Sequence, residues 1–194
     1  YLWAQTGVMG YSTNASYDNV WYAKDNWVIK YSYAELEAGS ADGTLVSDTK
    51  AFEDTHNITG MVYYDNCLYL VNEWPHKLGK VDLSTGVSSL VRDDVNPYGG
   101  SGLGVDDDGV LVFLAKVSNG QPCKISTLSP PYATSDFVEI ISSGFGRGIG
   151  EIHVTGSIAN NTATITVADY NVNRLVHYTI SGGVWSESSR LDVG

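Results

Sequence analysis

The sequence predicts an all-β chain of four tandem four-stranded units, and three observations carry that expectation. One turn-strand-loop-strand pattern occurs four times along the chain. Its equivalent positions, Lys30, Lys80, Lys124 and His177, stand 50, 44 and 53 residues apart, a period suited to radially repeated sheets. Helical periodicity is confined to Tyr33 to Ala38, too short to matter.

In every unit an apolar stretch comes first: Gly7-Val8-Met9, Ile58 to Tyr63, Leu103-Gly104-Val105 and Ile149 to Val154. A turn dipeptide that accepts positive φ follows, namely Asp18-Asn19, Asp65-Asn66, Asp108-Gly109 and Asn160-Asn161. Strands continue from these turns at Val20 to Tyr22, Cys67 to Val71, Val110 to Phe113 and Ala163 to Val167. Next come the strands bearing the basic position, Trp27 to Tyr33, Leu78 to Leu83, Pro122 to Leu128 and Arg174 to Ile180. A weaker strand closes each unit, at Leu45-Val46, Val87 to Val91, Phe137 to Ile141 and Val184-Trp185.

Four strands in meander order make a β-propeller blade. The blade units span approximately 5–49, 50–93, 94–142 and 143–194 of a single domain covering 1–194. They are expected to close as a four-bladed ring or to form part of a larger propeller. Tyr1-Leu2-Trp3-Ala4 is expected to pair with the last strand near Val184-Trp185, hiding the sheet edges that otherwise invite assembly with another chain.

Eleven basic and 22 acidic residues give a net charge of −11, which repels a phosphate backbone and excludes nucleic acid as a partner. No apolar run reaches the length of a membrane span. The chain opens at Tyr1 without Met or signal peptide, as expected of a processed product or a piece of a longer protein. Cys67 and Cys123 are too few for a disulfide framework, and their pairing is left open. The sequons at Asn14, Asn57 and Asn160 fit a secreted glycoprotein, although composition alone supplies such triplets.

Val167-Ala168-Asp169-Tyr170-Asn171-Val172-Asn173-Arg174-Leu175-Val176-His177-Tyr178 resembles the core of an NHL-type repeat, the blade of the regucalcin and gluconolactonase group and of several lyases. Tyr69 to Leu83 resembles it next best, and the other two units match in outline. The resemblance implies a propeller, usually of six blades. For the gluconolactonase group it implies a channel cation, Ca²⁺, held by one Glu, one Asn and one Asp. No unique positions in this chain match that set.

Loops entering the innermost strand and loops between the second and third strands gather on one face of a propeller. Here they carry Glu53, Asp54, His56, Asn57, Asp93, Asp94, Asn96, Tyr98 and Arg147, and from the other set Lys24, Asp25, Glu73, Trp74, His76, Asp169, Tyr170 and Asn171. His56 and His76 could ligate a transition metal, but filling blade loops is the simpler account. Asp106-Asp107-Asp108-Gly109 lacks the Glu of an EF-hand loop and reads as a hairpin turn. The glycine-rich run Gly144 to Gly150 lacks the strand-then-helix setting of a phosphate cradle. Most of the five Trp and 13 Tyr, including Trp21, Tyr69 and Tyr178, fall on strands, where packing between blades explains them.

The reading that follows is a non-catalytic extracellular or surface propeller, a binding or structural module and a glycosylated component of an assembly, with no cofactor. Trp74, His76, Tyr98, Arg147 and Asn171 are its expected binding residues, and a protein, a carbohydrate or copies of itself its expected partners. The alternative is a metal-dependent lactonase, hydrolase or lyase using Glu53, His56, Glu73 and Asp169 near Ca²⁺. A carbohydrate-binding lectin is the second alternative, resting on the loop aromatics Trp74 and Tyr98.

Overall fold

The computed structural model describes residues 10–13, 19–24, 27–32, 34, 38, 44–48, 56–74, 77–93, 100–116, 123–145, 149–169 and 173–193. The chain divides into two compact units, Tyr1–Val95 and Asn96–Gly194. The first holds a sheet of β1 (Gly10–Thr13), β2 (Asn19–Lys24), β3 (Trp27–Ser32) and β4 (Thr44–Asp48), and a sheet of β5 (His56–Tyr64), β6 (Cys67–Trp74), β7 (Leu78–Asp82) and β8 (Ser88–Arg92). The second holds β9 (Gly100–Val105), β10 (Leu111–Lys116), β11 (Cys123–Leu128) and β12 (Phe137–Phe145), then β13 (Ile149–Thr155), β14 (Thr164–Asp169), β15 (Arg174–Ser181) and β16 (Val184–Asp192). All four sheets are antiparallel meanders with neighbours in chain order.

The turns that join the strands follow from their residues. Asp65 and Asn66 take φ of 47° and 55°, the two-residue turn whose twist matches a hairpin, and Tyr64 pairs with Cys67 across it. Gly182 and Gly183, at 58° and 79°, do the same between β15 and β16. Asp82 Oδ1 accepts the backbone N–H of Ser84 and Thr85 at 2.8 and 3.1 Å, tying the turn before β8. These bonds hold the Asp82 carboxyl below its ordinary range, the Ser84 hydroxyl and N–H contributing most. A single helical hydrogen bond, Ala38 N–H to Ala34 O, occurs in the stretch with helical periodicity.

Each unit repeats one arrangement: the first strand of one sheet lies against the first strand of the next, β1 against β5 and β9 against β13. In the first unit Met61, Leu68, Leu70 and Val81 form a buried cluster with Tyr63 and Leu83 packed on it. Lys80 pairs across the ladder with Tyr69, and its ammonium sits 6.0 Å from the ring centroid. Cys67 is buried and free of any disulfide.

The second unit shows how two sheets meet. Period-two alternation puts Ile152, Val154, Ile165, Val167, Val176 and Tyr178 on one face of β13–β15, and all are buried. They pack on Val112 and Ile125 of the neighbouring sheet. Each buried apolar side chain contributes about 1.5–3 kcal/mol, against about 0.5–1.5 kcal/mol for one net hydrogen bond, so the apolar contact dominates. The opposite face of β13–β16 carries a polar row, Thr155, Thr164, Thr179 and Ser186 aligned across the strands.

Gly104 sits where the sheets come closest. A Cβ there would lie 2.5 Å from Val154 Cγ2, so glycine is required for the approach. Beside it, Asp106 is 2 % exposed and clasps the two sheets through their first turns. Its Oδ1 accepts the N–H groups of Asp108 and Val110 at 3.0 and 2.7 Å, and its Oδ2 accepts that of Ile158 at 2.9 Å. Asp107 N–H donates to Gly156 O at 3.0 Å, and the Ser157 hydroxyl donates to Asp108. The acidic run is thus a hairpin turn, as its sequence indicates, and also a clasp between sheets.

Two stability outcomes are expected from urea unfolding. Gly104→Ala costs about 1–3 kcal/mol through overpacking, and the Gly104→Ala/Val154→Ala double variant loses less than the sum of the singles because the offending methyl is gone. Asp106→Ala costs at least about 3 kcal/mol, since it strips an acceptor from three N–H groups at once.

Candidate ligand-binding groove

A groove opens in the second unit between the outer strands β12 and β16, and two irregularities in the ladders shape it. Along β16 the register runs Ile180 to Trp185 and Tyr178 to Glu187, then shifts so that His177 meets Ser189 and Val176 meets Arg190. Ser188 is the extra residue of a bulge, and its hydroxyl donates to His177 O at 3.2 Å. In a regular strand residues three apart point to opposite faces, so Glu187 and Arg190 could not meet. The bulge rephases the strand and places Trp185, Glu187 and Arg190 on the same face as Val176 and Tyr178.

The partner strand behaves alike. Ile125 pairs with Ile141 and Ser126 with Glu139, which leaves Ile140 as the extra residue. Ile140 and Ile141 consequently both reach the groove, with Ser142 beside them. Val176, Tyr178 and Trp185 form the other wall, and Glu187 and Arg190 stand at the rim. The groove is open to solvent and holds about 390 Å³, within the size range of small-ligand clefts.

Arg190 donates to Glu187 through both arms, Nε to Oε1 at 2.9 Å and Nη2 to Oε2 at 2.7 Å. These hydrogen bonds hold the Glu187 carboxyl below its ordinary range, with the charge of Arg190 and of Arg174 adding to the effect. Burial pushes the Tyr178 hydroxyl up, and the Glu187 charge adds to that. Further along the same face Arg174 Nε lies 3.8 Å from Asp192 Oδ1. Arg174 also pairs in register with Asp169, whose carboxylate is 2 % exposed.

Of the site residues singled out from sequence, none that is described lines the groove. Glu53, His76, Tyr98, Arg147, Asn171 and Asn14 lie outside the described residues. Trp74 is not in a loop: it ends β6 and pairs with His56 at the start of β5, because the irregularity between Ile58 and Gly60 lets the ladder continue that far. Glu73 precedes it in β6, and Asn57 follows His56 in β5. The backbone therefore brings His56 and Trp74 together, and places Asp169 at the end of β14 in the other unit. Asn160 is exposed in the β13–β14 turn. Among the described residues no three potential metal ligands converge. Sequence reasoning missed Trp185, Glu187 and Arg190; the sole signal was an acid and a base three apart in a strand, which only a bulge can bring together.

No family model matches the chain, and no curated protein matches it in sequence. Solved structures do. The nidogen/laminin complex is similar over 94 % of this chain and 62 % of that one, at TM-score 0.63 and 11 % identity. The chain has a β-propeller fold. The N-terminal domain of Nup159 is similar over 94 % of this chain and 44 % of that one, at TM-score 0.52 and 12 % identity. A structure of S. cerevisiae dbp5 bound to nup159, gle1, ip6 and adp gives TM-score 0.55 and 11 % identity over 96 % and 44 %. This propeller chain therefore spans about two fifths to three fifths of the chains it resembles.

Because the Glu187 carboxyl is held low, the rim ion pair persists from neutral pH through the ordinary glutamate range and is lost only as pH falls through the lower, folded-state value. A carbon-detected NMR titration is expected to show Glu187 ionising below a free glutamate, and Arg190→Ala to return it toward the usual range.

Proposed function

We propose that this chain is a non-catalytic, protein-binding propeller whose ligand site is the groove between β12 and β16. One observation carries the reading: a cleft with Ile140 and Ile141 on one wall and a Trp and a Tyr ring on the other is bordered by a charged pair that solvent reaches. Trp, Tyr and Arg are the side chains in which binding hot spots are enriched. Similar propellers occur in complexes, one of nidogen with laminin and one of dbp5 with nup159, which supports the same reading.

The finer features of the proposal rest on the sequence. The four sheets are blades of NHL type, and they either close as a four-bladed ring or belong to a larger propeller, consistent with the 62 % and 44 % coverage of similar chains. An extracellular site of action, with sugars on Asn14, Asn57 and Asn160, is supported by the sequons, and no cofactor is invoked. Self-assembly is supported by apolar residues exposed on outer strands, Leu90 on β8, Val138 on β12 and Leu191 on β16.

The test is selection from a displayed library of random dodecapeptides. Enriched peptides are expected to bind the wild-type protein and to lose at least about tenfold in affinity for Ile141→Asp, a charge placed in the apolar wall. Wild-type-like affinity of that variant, or metal-dependent lactone hydrolysis abolished by Glu53→Ala or Asp169→Ala, would defeat the reading.

A further inference from the structure

The groove has a chemical preference that its short apolar strip and its charges define together. We infer that its occupant is a cationic side chain, an arginine or lysine of a partner segment, and that Arg190 holds the cation's place in the free protein. This rests on the binding reading above and specifies the partner's chemistry.

Charge on the groove face is the first argument. The registers of β14, β15 and β16 put five ionisable groups on that face, Asp169, Arg174, Asp192, Glu187 and Arg190. Among the described residues three are carboxylates and two are guanidiniums, and the whole chain carries −11. A field of that sign draws cations and repels acidic segments.

Shape is the second argument. Lys and Arg bury a methylene stem along apolar surface while the head stays near water. Ile140 and Ile141, partly exposed, offer a short strip of such surface, and Glu187 waits at the rim. Tyr178 and Trp185 present rings beside the same path, and a guanidinium stacked on a ring gains further attraction.

The third argument is the ease of exchange. The side chains of Arg190 and Glu187 are 47 % and 36 % exposed, so solvent screens their ion pair and makes it easy to exchange. An incoming guanidinium can take over both oxygens of Glu187 in the same forked geometry, while Arg190 swings into solvent. Arg190 is then a built-in competitor, and removing it and removing Glu187 have opposite effects. A purely structural ion pair gives no such opposition.

The experiment is an NMR titration of the ¹⁵N-labelled protein at low salt with three dodecapeptides that differ only at a central arginine, leucine or glutamate. The arginine peptide is expected to bind tightest and to shift resonances of β12 and β16. Arg190→Ala is expected to tighten it about two- to fivefold, the size of an exposed ion pair. Glu187→Gln is expected to weaken it about tenfold, and salt to weaken it further. Preference for the leucine or glutamate peptide, or weaker arginine binding by Arg190→Ala, overturns the inference and leaves the groove a binding site. Binding of none of the three, alongside library peptides that ignore Ile141→Asp, removes the binding reading itself.

Discussion

Everything in the second unit depends on the close approach of two sheets across Gly104. The apolar face of β13–β15 is covered by β9–β12, whose Val112 and Ile125 pack on it. At Gly104 the separation is so small that a single added carbon would strike Val154. The Asp106 carboxylate then fixes the same ends together by accepting N–H groups from both first turns. The first strands are in tight contact, and the groove lies between the bulged outer strands β12 and β16.

Edge protection and site construction come from the same residues. An outer strand exposes unpaired backbone groups, and bulges and charges are the ordinary means of discouraging another strand from pairing there. Ser188 supplies the bulge of β16, and Glu187, Arg190 and Asp192 supply charge. The rephasing that spoils the edge also turns Arg190 inward beside Glu187. A strand that merely avoided aggregation could place its charges on either face; here both Glu187 and Arg190 line the cleft.

The fold was more legible in the sequence than the site. Turn dipeptides such as Asp65-Asn66 announce their hairpins because few residues tolerate the positive φ they need. Inner strands such as Ile149–Thr155 show themselves by alternation, since one face is buried. Outer strands do not. Only Val184-Trp185 marks β16 in the sequence, yet the strand runs to Asp192, because Ser186 to Asp192 is exposed almost throughout and has no buried face to impose a pattern. The groove was illegible for the same reason: it depends on register shifts at Ile140 and Ser188, which pairing partners determine and composition does not. Asp106 shows the intermediate case, a turn readable from Asp-Gly whose clasp to Ile158 is a contact 52 residues away.

The proposed site of ligand recognition lies between β12 and β16. Hydrogen exchange of the protein with and without a library-selected peptide tests it most directly. Slowed exchange confined to Phe137–Phe145 and Val184–Asp192 is the predicted result. Protection that falls instead on the β5–β6 ends at His56 and Trp74, with β12 and β16 unchanged, would contradict it.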